Sequence, residues 1–170
     1  MATDVIGTYN FSEVPQVNGV PLPTGGGTNI LQVVTGTIAS ASGTTTVPLD
    51  NTIPTNTEGW QFFSQAFTPL SATSKIIIHF TISGSHSTTT TTPVASVFVG
   101  TTNIGSTAIS MGSARAMIMS RTIVYQPGNT NAITFVGRIG AQAGTVYVNN
   151  IGGTTLGGSL VSNYTIYEVE

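Results

Sequence analysis

The chain has 170 residues, a formal net charge of −2, and Asp, Glu, Lys and Arg make up only 6% of it, against about a quarter in an ordinary soluble domain. About thirty residues are threonine, whose β-branched side chain favours the pleated backbone and whose hydroxyl meets water without the desolvation cost of a charge. The four basic residues, Lys75, Arg115, Arg121 and Arg138, are scattered, which excludes a nucleic-acid footprint; the absence of cysteine excludes disulfides and thiolate chemistry; and no apolar run reaches the ~20 residues of a spanning helix.

The first residues, Met1-Ala2-Thr3-Asp4-Val5-Ile6-Gly7, carry neither a basic start nor an apolar stretch, so a soluble protein made without a secretory signal is expected. Residues 1–29 form an extended N-terminal arm: Pro15, Pro21 and Pro23 prevent helix, and Gly25-Gly26-Gly27 makes a hinge. The arm holds Val5, Ile6, Tyr9, Phe11, Val14, Val17, Val20 and Leu22, more apolar residues than a solvated tail carries. These are candidates for docking on a partner surface.

Residues 30–170 form one domain with the two-residue rhythm of strands. Strands are expected over Ile30–Ile38, Thr44–Leu49, Trp60–Phe67, Ile76–Ile82, Val94–Val99, Ala114–Tyr125, Asn131–Ile139, Thr145–Asn149 and Leu160–Val169. Ile76, Ile78, Phe80 and Ile82 share one face of the strongest of them, and Ile77, His79 and Thr81 share the other. Thr88–Thr92 is expected as a loop or edge segment. Pro127-Gly128-Asn129 and Ala141-Gln142-Ala143-Gly144 carry turn chemistry and are expected to link strands as meanders. Eight or nine strands without a helical stripe indicate an all-β fold, an antiparallel β-sandwich.

Residues for catalysis are few. His79 alternates within a strong strand and is expected to be a structural or interface residue; His86, in Gly84-Ser85-His86-Ser87, is expected in an exposed loop. Only if three chains met on an axis would either form a histidine ring able to bind an ion. Asp50, Glu58, Glu168 and Glu170 do not read as a paired-carboxylate site. Glu168 and Glu170 are expected in a solvated or salt-bridged terminus, and Glu58 is expected to pair with Lys75 or an arginine. The sequons at Asn10 and Asn163 lack a secretory context, and the glycine runs lack the ending of a phosphate loop. An enzyme is not expected, and neither a metal nor a cofactor. Trp60, Phe62, Phe63 and Phe67 lie together on one strand and are expected to serve the core on one side and a subunit contact on the other. Trp60 with Gln61 and Glu58 is the one local candidate for a sugar site.

Scarce charge promotes association, so a homotrimer is expected. Its interface candidates lie on Ile76–Ile82 and Ala114–Tyr125: Ile77, His79, Met117, Met119 and Tyr125, with Ile123 on the same face as the methionines.

Thr52-Ile53-Pro54-Thr55-Asn56-Thr57-Glu58-Gly59-Trp60-Gln61-Phe62, Thr68-Pro69-Leu70-Ser71-Ala72-Thr73-Ser74-Lys75-Ile76 and the arm stretch Val17-Asn18-Gly19-Val20-Pro21-Leu22-Pro23 resemble short virion proteins of tailed bacteriophages. The resemblance implies a jelly-roll sandwich of about eight strands behind a Pro/Gly-rich arm, three copies about an axis, and a place in the virion after assembly in the host cytoplasm. It implies docking on the major capsid protein or another virion protein, with no nucleic acid or membrane as partner. The same sandwich serves as capsid decoration or cement and as the tip of a tail fibre. No coiled-coil heptads or repeats precede this sandwich, which favours decoration.

Overall fold

Alternating apolar and hydroxyl side chains build strands throughout. The structure, a computed structural model, describes residues 16–17, 20–21, 29–88, 90–111, 116–155 and 160–170. A two-residue ladder joins β1 (Gln16–Val17) to β2 (Val20–Pro21). The sandwich follows: β3 (Ile30–Ile38), β4 (Ala41–Gly43), β5 (Trp60–Phe67), β6 (Lys75–His86), β7 (Val94–Val99), β8 (Thr102–Ala108), β9 (Ala116–Tyr125), β10 (Ile133–Gly140), β11 (Val146–Val148) and β12 (Ser162–Val169). Among the described residues there is no helix.

All pairings are antiparallel, and apart from the β1–β2 ladder they fall into two sheets. One runs β3-β12-β6, with β9 along the other side of β6 and the short β11 and β4 extending the far end; the other runs β5-β10-β7-β8. Numbering the eight long strands in chain order gives first-eighth-third-sixth in one sheet and second-seventh-fourth-fifth in the other. That is the winding of a jelly roll, two Greek keys folded face to face.

The expected face of β6 is correct: Ile76, Ile78, Phe80 and Ile82 have no exposed surface, while Ile77, His79 and Thr81 are half-buried. Strand β5 differs from expectation. Its ladder with β10 slips between Gly137 and Arg138, leaving Phe62 as an extra residue between Gln61 and Phe63. Such a bulge lets two successive side chains point the same way. Phe62 and Phe63 are both buried, in edge contact at 5.1 Å, and reach Phe80 at 5.7 Å and Tyr164 at 4.7 Å. With Phe67 also buried, the three phenylalanines of β5 serve the core, not a subunit contact.

Several boundaries also move. Thr44–Leu49 is not a strand: single backbone bonds, Val47 to Ala141 and Gly59 to Thr46, replace a ladder, and Pro48 has no amide to donate. Strand β8 was not legible, since its run of Asn, Gly, Ser and Thr lacks an apolar face. The Pro127–Asn129 and Ala141–Gly144 links are not meanders, because each carries the chain from one sheet to the other. Gly128 takes its turn with φ +71 and Gly144 with φ +84, a region that favours glycine.

The two outer faces are unlike. On the β5-β10-β7-β8 sheet, Ser96 and Phe98 point outward, in register with Arg138 and Val136, yet both are buried. The segment before β5 crosses this face: Asn103, opposite Phe98, donates to Pro54 O, Asn56 donates to Gly100 O, and Arg138 donates to the carbonyls of Glu58 and Gly59. Among the described residues, nothing comparable covers the outer face of the β3-β12-β6-β9 sheet.

Ile78→Asp or Phe80→Asp places an unpaired charge at a position without solvent, at a cost of several kcal/mol against a total stability of about 5–15 kcal/mol. Thr90 is exposed, so Thr90→Asp is expected within ~0.5 kcal/mol of wild type. Circular dichroism melts check this, and equal tolerance of all three changes contradicts the assignment of faces.

Candidate functional site

The outer face of the β3-β12-β6-β9 sheet is ordered by register. One cross-strand row is Val33, Tyr167, Ile77 and Val124; the next is Thr35, Thr165, His79 and Thr122; the third is Thr37, Asn163, Thr81 and Ser120. None of the twelve is Asp, Glu, Lys or Arg; the exposed Lys75, one step before the first row on β6, stands at the margin. Val33 and Val124 are 47% and 61% exposed, and Ile118, one step beyond the third row, is 69% exposed. The hydroxyls bind one another and the imidazole: His79 Nδ1 lies 3.0 Å from Thr122 Oγ1, its Nε2 3.4 Å from Thr81 Oγ1, and Thr81 donates to Ser120.

Thr35, Gly36, Thr37, Asn163, Tyr164 and Thr165 line an open depression of about 580 Å³ on this face. Gly36 faces inward over the Tyr164 ring, where a Cβ would collide with the phenol. Tyr164 can therefore lie flat on Phe63 and donate its hydroxyl to Gln65 Oε1 at 2.8 Å.

The sequence candidates distribute as follows. Ile77 and His79 lie on this outer face. Met117, Met119 and Ile123 do not: they are buried in the core, and Tyr125 is half-buried in edge contact with Phe135 at 5.8 Å. The parity of β9 is thus the reverse of that expected, and its outer side is Ile118, Ser120, Thr122 and Val124. Arg121 shares the inward parity, but β9 is an edge strand and Arg121 remains exposed. Val5, Ile6, Tyr9, Phe11, Val14 and Leu22 lie outside the described residues; Val17 and Val20 pair in the β1–β2 ladder.

His86 is not an exposed loop residue. Strand β6 continues past Ile82, pairs Val146 with His86, and leaves His86 without exposed surface. Its Nδ1 accepts from the Thr88 amide at 3.1 Å, and Nε2 has no partner. Of the two histidines only His79 reaches a face, and among the described residues neither hydrogen-bonds to a carboxylate. Among the described residues no three His, Asp or Glu side chains cluster as a metal site would require.

Glu168 is the largest departure. Instead of a solvated end, it has no exposed surface and accepts from Ser74 Oγ at 2.6 Å, Gln32 Nε2 at 2.6 Å, and the Leu70 and Ser71 amides at 2.8 and 3.0 Å. Burial pushes its carboxyl up, but the hydrogen bonds from Ser74, Gln32, Leu70 and Ser71 outweigh this and hold it below the usual carboxylate range. Glu58 caps its own loop, Oε2 accepting from the Thr55 amide at 2.9 Å; its meeting with an arginine is through its backbone carbonyl, which takes Arg138 Nε. The Thr52 hydroxyl and amide hold the Asp50 carboxyl below its usual value. Trp60 is half-buried with an enclosed Nε1, and its indole fills the place a side chain at Gly43 would take, so it offers no platform for a sugar.

The signals for the face were present but mute. Thr35-Gly36-Thr37 and Asn163-Tyr164-Thr165 show outward polar alternation, yet only the register shows that they lie side by side.

No protein-family model matches the chain, and no curated protein sequence does. Among solved structures, a chain in the structure of infectious bursal disease virus, Gx strain, is similar at 15% identity with a TM-score of 0.39, over 81% of this chain and 36% of that one.

The Glu168 arrangement has a pH signature. A carboxyl held below its unfolded value contributes stability fully above ~pH 4.3 and loses it as pH falls through the lower folded value. Glu168→Gln is expected to lower stability at pH 7 by about 2–4 kcal/mol, as amide donors lose a charged acceptor, with the gap to wild type closing on acidification. Thermal melts from pH 7 to pH 3 check this; coincident midpoints at pH 7 contradict it.

Proposed function

We propose that this chain is a structural protein of a virion, a trimeric decoration or cement subunit on a tailed-bacteriophage head, without enzymatic activity. It would act by folding, assembling and binding. The observation that carries the reading is the unequal treatment of the two sheet faces. One outer face is crossed by the chain's own segment, which buries Ser96 and Phe98, while the other presents twelve side chains without an acid, a lysine or an arginine. Hydroxyl and aliphatic rows suit permanent contact with another protein surface, where desolvating charges would be costly. The arm supports the same reading, since its apolar residues need a surface on which to dock and the Gly25–Gly27 hinge leaves the sandwich free to orient.

A second reading, the receptor-binding tip of a tail fibre, is favoured by the depression beside Thr35 and Asn163, whose hydroxyls and amide suit a glycan. The arm separates the two. A chain lacking residues 1–29 is expected to remain soluble and β-rich yet fail to bind heads lacking this protein, and those heads to be less resistant to heat or osmotic shock. Full-length protein added back restores both, since occupancy of many sites stabilises the assembled state by mass action. Deficient particles that stay robust but no longer adsorb to cells overturn the cement reading in favour of the fibre tip.

A further inference from the structure

Sheet edges are ready templates for another strand, and proteins blunt them with charges, proline, bulges or covering elements. Three of the four long edges here are blunted. Strand β5 is bulged at its third residue, Phe62; β8 has an extra residue, Ile104, opposite the Val97–Phe98 step; and β9 carries Arg121. Strand β3 is not blunted beyond its start. Its one irregularity lies at Leu31, and from Gln32 to Ile38 it runs in unbroken register with β12. Its nine residues include no charge and no proline, and Ile30 and Val33 are 59% and 47% exposed. Among the described residues β3 pairs with β12 alone.

The sequence that could complete this edge belongs to the chain itself. Thr3-Asp4-Val5-Ile6-Gly7-Thr8-Tyr9-Asn10-Phe11 is as long as β3, and no proline occurs before Pro15. Val5, Tyr9 and Phe11 alternate on one side of it, as an added strand requires. With the β1–β2 hairpin in place, the five steps from Phe11 to Gln16 and the nine from Pro21 to Ile30 span about 45 Å when extended, enough to reach a neighbouring copy.

Area argues that the donor is a neighbour. Four strands about 4.8 Å apart and three rows about 6.8 Å apart give an outer face of roughly 400 Å², about half the ~800 Å² per partner of a standard stable interface. Contact through the face alone is too small, and a strand laid on its own β3 adds nothing between copies. A strand donated across the contact supplies main-chain hydrogen bonds as well as area.

We propose that residues 3–11 of one copy add to the free edge of β3 of a second copy, so that the arm joins copies of this chain as well as facing its partner. This holds in purified protein and does not depend on a place in a virion.

The test mixes full-length 15N-labelled protein with unlabelled full-length chains carrying a nitroxide at Thr8→Cys, the only thiol in a chain without native cysteine. The expected result is loss of most amide signal intensity across Ile30–Ile38, with Thr102–Ala108 on the opposite sheet retaining it. Thr35→Lys in the labelled protein, an exposed substitution on the edge, is expected to abolish the effect with the remaining spectrum unchanged. Absence of broadening between copies, or broadening confined to strands other than β3, overturns the proposal.

Discussion

A single carboxylate closes the sandwich. Glu168 stands near the end of the last strand, and its oxygens gather Ser74, Leu70 and Ser71 from the segment joining β5 to β6, and Gln32 from β3. Since β5 and β6 belong to different sheets, this one group fixes where the chain crosses between layers. Gln32 completes the closure by also donating to Thr68 O. In a chain so short of charge, Glu168 acts as a hub for backbone amides and hydroxyls. Arg138 does the same for the segment before β5, through the carbonyls of Glu58 and Gly59. Charge-assisted hydrogen bonds are stronger than neutral ones, so a few charges suffice to hold two long loops.

Fixing the loops decides the faces. The segment before β5 lies over one sheet and buries Phe98 and Ser96, so part of that side is covered within the chain. The Glu168 loop closes an end and leaves the face of β3, β12, β6 and β9 clear of described residues. Rows of hydroxyl and aliphatic side chains there, beside an unblunted β3 edge, are features a solitary protein normally avoids. They are consistent with a subunit built to be covered.

The fold was largely legible because its strongest signal is local. Alternation in β6 fixed its buried face, and eight or nine short strands without helical stripes fixed the class. What was hidden depends on contacts distant in sequence. A bulge at Phe62 cannot be seen without the opposing β10, so the aromatics looked divided between two faces. Strand β9 has apolar residues on both parities, so alternation alone did not choose its buried side. His86 looked exposed because Gly and Ser surround it, whereas β11 covers the end of β6. Glu168 looked terminal because it is near the end of the chain, and its four donors come from sites about 94 to 136 residues away. The row-ordered outer face was missed for the same reason, since pairing of Thr35–Thr37 with Asn163–Thr165 is a matter of register and not of composition.

The central claim is that this sandwich is an assembly subunit whose uncharged sheet face and β3 edge are satisfied by other copies. Sedimentation equilibrium of the full-length protein at micromolar concentration tests it most directly. The account predicts a homotrimer that Val124→Asp, a charge placed in the exposed apolar row, shifts toward monomer while leaving the circular dichroism spectrum intact. A protein that stays monomeric across the whole concentration range contradicts it.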